Sequence, residues 1–217
     1  MTTDGPVPTP PDVPNPADVP DDVTVLSAAD LGADAVVDVE AIAAAQRAMR
    51  LVELVREIER YVATDGWDQN PRMFALARTT ELVRLEPELA EALGAAAEDP
   101  ESLTPIEQEQ LDHDRPLDEV LATTMWPAEV AGAALVLERL VLPPSAEDVL
   151  DERDPAALED AAATHPDRED VRMAVLVTRD GQRVCAVRLR SHDVDDEVLV
   201  GENVVPRLAD ALAATLT

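Results

Sequence analysis

From Ser191 to Glu197 the chain reads SHDVDDE, a stretch in which hydroxyl, imidazole and carboxylate groups crowd together. Ser191, His192 and Asp193 supply the three groups of a nucleophilic triad. Neighbours on an extended chain point to opposite sides, however, and no serine stands in a G-x-S-x-G elbow. Asp193, Asp195 and Glu197 offer oxygens at alternate positions, the kind of ligand a hard cation takes, but Val198 stands where a calcium loop needs its glycine. These three are weak metal candidates, and the expectation is a solvated acidic loop ahead of the last helix, with no metal. Cys185 and the three histidines, His113, His165 and His192, lack the paired spacing of a zinc site. Cys185, flanked by apolar residues, reads as a small core residue.

Absences restrict the chemistry further. All 17 basic residues are arginine, so there is no lysine for a phosphate loop, a Schiff base or an ammonium general base. The seven glycines, at 5, 32, 66, 94, 132, 181 and 201, are too dispersed to build a glycine-rich phosphate cradle. No cofactor is expected, and no catalytic residue stands out. Binding is what remains. Trp67 in GWDQNP and Trp126 in MWPAE stand at the entrances to strands, where an indole either anchors a partner or seals the end of a sheet. Arg72, Arg188 and Arg190 carry the planar fork that grips carboxylate or phosphate, or else they pair with the chain's own acids.

With 46 acidic residues against 17 arginines the net charge is −29. Such a field repels phosphate backbones and anionic headgroups, which argues against nucleic-acid and membrane partners. No uncharged run is long enough to span a bilayer, the first basic residue is Arg47, and a single cysteine permits no internal disulfide; together these read as a cytoplasmic protein.

The elements that must position these residues follow from local patterns. Residues 1–35 form an acidic, proline-rich tail that lacks the apolar surface to fold, and 36–217 read as one domain. Ala44, Ala48, Leu51, Val55, Ile58 and Val62 give a helical stripe from Asp38 to about Thr64, and Gly66 stops it. RMFALA, from Arg72, reads as a strand. A helix over 80–93 contains Pro87 and should split there. Thr104-Pro105-Ile106-Glu107 looks like a helix start, continuing to about Leu111. A short helix over 117–124 leads to the apolar Trp126–Pro144 segment, read as a buried strand. An alanine-rich helix is expected over 155–164. Then VRMAVLVTR and QRVCAVRLR flank Asp180-Gly181, the signature of a two-residue hairpin turn. That register pairs Val177 with Val184, Val175 with Ala186 and Met173 with Arg188. Both hairpin faces are mostly apolar, so it belongs inside a sheet. Asn203 reads as the cap of a last helix with the stripe Val205, Leu208, Leu212 and Leu216.

Taken as a set, GWDQNPRMFALA, WPAEVAGAALVLERLVLPP, HPDREDVR, RDGQRVCAVRLRSHD and VVPRLADALAATL resemble an actinobacterial family of conserved proteins of unknown function. The resemblance runs from about Ala41 to Leu216 and implies a cytoplasmic actinobacterial protein, with no activity or site to carry over. The expected fold is α+β: an antiparallel or mixed sheet of about four strands packed with the long first helix and the last one. The expected function is a non-enzymatic protein-interaction or regulatory module, meeting a protein partner through the sheet end near Trp67 and Trp126, or self-associating through an uncovered sheet face or helix. The alternative is a small-ligand-binding protein or unrecognised enzyme with an arginine-lined pocket near Arg72, Arg188 and Arg190.

Overall fold

The computed structural model describes residues 38–109, 111, 115–142, 165–166, 168–202 and 204–217. The proline-rich tail, the helix expected over 155–164 and the cap at Asn203 lie outside the described residues. Glu40–Thr217 forms one compact unit.

Helix α1, Val39–Ala63, buries Leu54, Val55, Ile58, Glu59 and Val62, so the apolar stripe is in place and one carboxylate is buried with it. Gly66, at φ 83°, turns the chain behind the helix as only glycine does easily. Strand β1, Arg72–Arg78, follows. Pro87 splits the next helical stretch into α2, Thr79–Leu85, and α3, Leu89–Leu93. Helix α4 spans Leu117–Thr123, and the apolar segment is β3, Val130–Val141. The hairpin strands are β4, Glu169–Thr178, and β5, Arg183–Leu189. The last helix, α5, is Pro206–Ala214, with proline in its first turn, where the missing N–H costs nothing.

Among the described residues the sheet has six strands rather than about four. Two were not visible in the sequence: β2, Leu103–Glu107, and the short β6, Leu199–Gly201. The order is β2-β1-β3-β4-β5-β6, antiparallel throughout. Thr104-Pro105-Ile106-Glu107 is therefore strand, not helix. The outer edge of β1 needs hydrogen-bond partners, and Pro105 opposite Leu76 is tolerated because β2 is an edge strand.

The hairpin register also differs, by one residue. Thr178 N–H bonds Gln182 O at 3.0 Å, Gly181 N–H bonds Thr178 O at 3.0 Å, and Gly181 has φ 89°. The loop is thus three residues, Arg179 to Gly181, with a left-handed glycine rather than a two-residue turn. Val175 now faces Cys185, Met173 faces Val187, and Arg172 faces Arg188. A one-residue slip exchanges the two faces of one strand relative to the other. Arg188 therefore leaves the Met173 side and joins Arg172 beneath α1.

Each face of the sheet has its own core. On one, Leu54, Val55, Ile58 and Val62 of α1 pack on Phe74, Leu76, Ala134, Val136, Ala174 and Leu176. On the other, Leu121 of α4 and Ala209, Leu212 and Leu216 at the C-terminal end pack on Met73, Leu135, Val175, Val177 and Cys185. Among the described residues no helix is long and apolar enough to cross a membrane.

Candidate functional site

The end of α1, the loop behind it, the far end of β3, the start of β4 and the end of β5 converge on two buried arginines. Arg172 and Arg188 are 1% and 2% exposed, and Glu59 is 1% exposed. Arg188 Nε and Nη2 donate to the two oxygens of Glu59, both at 2.7 Å. Its Nη1 reaches Asp193 at 3.1 Å and its Nη2 reaches Asp195 at 2.7 Å. Arg172 donates to Glu138 through Nε at 3.1 Å and Nη2 at 2.7 Å, and to the carbonyl of Gly66. Its Nη1 lies 3.7 Å from Glu59, so that carboxylate sits between two guanidiniums that directly oppose each other across the strands. Without it, two like charges would face one another in a desolvated place.

Trp67 closes the cluster. Its ring lies 4.4 Å from the Arg172 guanidinium carbon and 5.5 Å from that of Arg190, two cation–π contacts, and its indole N–H donates to Asp193 at 2.9 Å. Arg190 grips Asp68 at 2.9 and 3.0 Å. Arg72 stands beside the cluster, bonded to Glu107 at 2.6 and 2.8 Å and to Asp65 at 2.7 Å, and linked to Glu138 through Gln69.

The ion pairs set the ionisation of the groups they hold. Hydrogen bonding to Glu59 pushes Arg188 up, and hydrogen bonding to Glu107 does the same for Arg72. Bonds from Arg188, Arg190 and Arg72 hold Asp195, Asp68 and Glu107 below the usual carboxylate range. In each of these five groups the ion pair favours the charged form. No room for a water remains among Glu59, Arg188, Asp195 and Val198, while Asp193 and Asp195 on the outer side are about half exposed. Guanidiniums engage Asp193 and Asp195, and among the described residues no group of three or more histidine, cysteine or acidic side chains is placed to hold a metal ion. Glu197 is exposed. Ser191 Oγ and His192 Nδ1 lie 2.9 Å apart on an exposed turn, while Asp193 is turned to Arg188 and Trp67. Burial pushes the Cys185 thiol up, away from the reactive thiolate.

The structure thus brings Trp67, Arg188, Arg190, Asp193 and Asp195 together, with Arg72 alongside. Trp126 is elsewhere. Its indole N–H bonds Thr215 Oγ1 at 3.0 Å, and its carbonyl accepts from Arg179, just past the end of β4. Arg172, under Trp67, and Arg179, at Trp126, are seven residues apart along an extended chain, about 23 Å. The two tryptophans mark opposite ends of the sheet.

At the Trp126 end lies an open cleft of about 570 Å³, between the first half of α1 and the ends of β1, β3 and β4. Four arginines line it: Arg47, Arg50, Arg78 and Arg179. Arg50 is paired with Asp99 at 2.8 Å. Arg179 spends its donors on main-chain carbonyls, at 2.7 Å to Val130, 2.8 Å to Pro127 and 3.1 Å to Trp126, with Leu216 as a further acceptor. Among the described residues it makes no ion pair. Arg47 and Arg78 have no side-chain partner among the described residues. Leu51 and Leu103 add apolar wall. The sequence offered little to find this site. Arg47 and Arg50 share a helix face at a spacing of three, but Arg78 and Arg179 join them only through the sheet.

A family profile described as PPA1309-like protein matches residues 51–217. No curated protein matches the chain, and no solved structure does.

Proposed function

The chain belongs to the PPA1309-like protein family, and on that premise we propose that it is a non-catalytic binding protein for a small anionic ligand, taken up in the arginine-lined cleft. The observation that carries this is the pair Arg47 and Arg78. Among the described residues, these two guanidiniums that line one cleft have no side-chain partner. Carboxylate and phosphate are the groups whose geometry matches those forks. A volume of about 570 Å³ suits a metabolite-sized molecule. The arginines differ from those expected at first, since Arg72, Arg188 and Arg190 are occupied by the protein's own carboxylates. The separation of Trp67 from Trp126 also favours a small ligand over one partner surface taking in both. We propose further that the protein is cytoplasmic and without a nucleic-acid partner, which its charge and its single cysteine support, and that it is actinobacterial, which rests on the sequence resemblance alone.

Thermal unfolding in low salt with citrate, succinate or inorganic phosphate tests it. A ligand at a hundred times its Kd stabilises by about 2.7 kcal/mol, which for a chain of this size raises Tm by about 5–10 °C. The Arg47→Ala/Arg78→Ala variant should keep its own Tm within about 2 °C, because neither side chain holds anything in place, and should lose the shift. No shift with any anion, or an equal shift in the variant from general salt effects, refutes the reading.

A further inference from the structure

The cleft is not uniformly basic. Glu101, ahead of β2, and Glu129, ahead of β3, also line it, and neither carboxylate has a side-chain partner among the described residues. Among the described residues, two guanidiniums and two carboxylates without side-chain partners thus share one cavity, beside the Asp180 carboxylate, which accepts only from the Thr178 hydroxyl. A simple anion entering it gains Arg47 and Arg78 but meets the field of both glutamates. A simple cation faces the converse. A molecule carrying both signs satisfies both sets. Leu51 and Leu103 supply apolar contact for its body, and the lining contains no aromatic side chain on which a nucleobase could stack.

We infer that the ligand is zwitterionic: a small amine bearing a carboxylate or phosphate, of amino-acid to dipeptide size, whose anionic end meets Arg47 and Arg78 and whose ammonium meets Glu101 and Glu129. This rests on the anion-binding reading of the same cleft and names the chemical class it takes.

Paired probes separate the two ideas. Titration calorimetry on the full chain in low salt compares L-leucine with isocaproate, its deaminated skeleton, and phosphoethanolamine with ethyl phosphate. The amine member of at least one pair should bind about two- to thirtyfold tighter, the range of two exposed ion pairs. The pair that shows the preference identifies the anionic end as carboxylate or phosphate. In Glu101→Gln/Glu129→Gln the preference should vanish while the deaminated acid still binds, at equal or higher affinity. Both positions are exposed, so the variant should fold, and the wild-type comparison decides the question even if it does not. If the deaminated member binds as tightly as the amine in both pairs, the zwitterion is refuted and the anion site stands. If no member of either pair binds, both fall.

Discussion

Replacing Glu59 by glutamine keeps the shape of the side chain and removes its charge, which makes it a sharp test of what the buried cluster contributes. The carboxylate makes two 2.7 Å bonds to Arg188 and lies 3.7 Å from Arg172. The amide has one acceptor oxygen where there were two, and its NH2 group faces a guanidinium that can only donate. Breaking a buried ion pair from one side costs about 3–5 kcal/mol, because the remaining charge stays desolvated. Arg188 keeps Asp193 and Asp195, each about half exposed, so the lower end of that range applies, about 3 kcal/mol. At about 2–4 °C per kcal/mol this is a fall in Tm of about 6–12 °C. The Glu59→Met/Arg188→Met variant removes both charges and fills the space with flexible apolar chains, while Arg172 keeps Glu138 and the Gly66 carbonyl. It should cost less than Glu59→Gln alone. Urea unfolding followed by circular dichroism measures both, and in a Trp126→Phe background the fluorescence of Trp67, stacked on Arg172, reports the cluster itself. A Glu59→Gln variant within about 0.5 kcal/mol of wild type, the range of a neutral surface change, would refute the argument. So would a double variant less stable than the single.

Two further outcomes follow from the same structure. Hydrogen bonds from Arg188, Arg72, Arg190 and the Ser191 N–H hold Asp195, Glu107, Asp68 and Glu169 below their ordinary values of 3.8 for aspartate and 4.5 for glutamate. Folded values below unfolded ones give stability that is complete above those ordinary values and is lost as pH falls through the folded ones. Calorimetric Tm should therefore stay level down to about pH 5 and decline steadily below about pH 4; a Tm unchanged at about pH 3 would contradict it. Separately, a Cβ at Gly132 would sit 2.5 Å from the Val177 carbonyl oxygen and 3.1 Å from Leu76 Cδ1, so β3 and β4 approach more closely than any side chain there allows. Gly132→Ala should cost about 1–3 kcal/mol by forcing the strands apart, and equal urea midpoints for variant and wild type would show that they can part freely.

Much of the fold was legible in local patterns. The stripe ending in Val55, Ile58 and Val62 specified α1, Pro87 specified a break, and the Trp126–Pro144 run specified a strand, because helical period, proline geometry and apolar density each act within a few residues. The hairpin was visible too, but not its register. A two-residue and a three-residue loop around Asp180-Gly181 differ only in where the left-handed glycine falls, and that choice sends Arg188 to one face or the other. The edge strands β2 and β6 were not legible, since Thr104-Pro105-Ile106-Glu107 satisfies helix-start preferences as well as it does an edge strand.

By itself the sequence determined what kinds of chemistry are open: no lysine, dispersed glycines and unpaired metal-ligand types exclude whole mechanisms by composition alone. The tertiary structure decided which arginines are committed and which are free. Arg188 finds Glu59 across 129 residues of chain, whereas Arg47 and Arg78 reach the same cleft with no side-chain partner among the described residues. Composition counts charges, but pairing is a matter of distance in space, and only the packed sheet and helix bring these side chains within range.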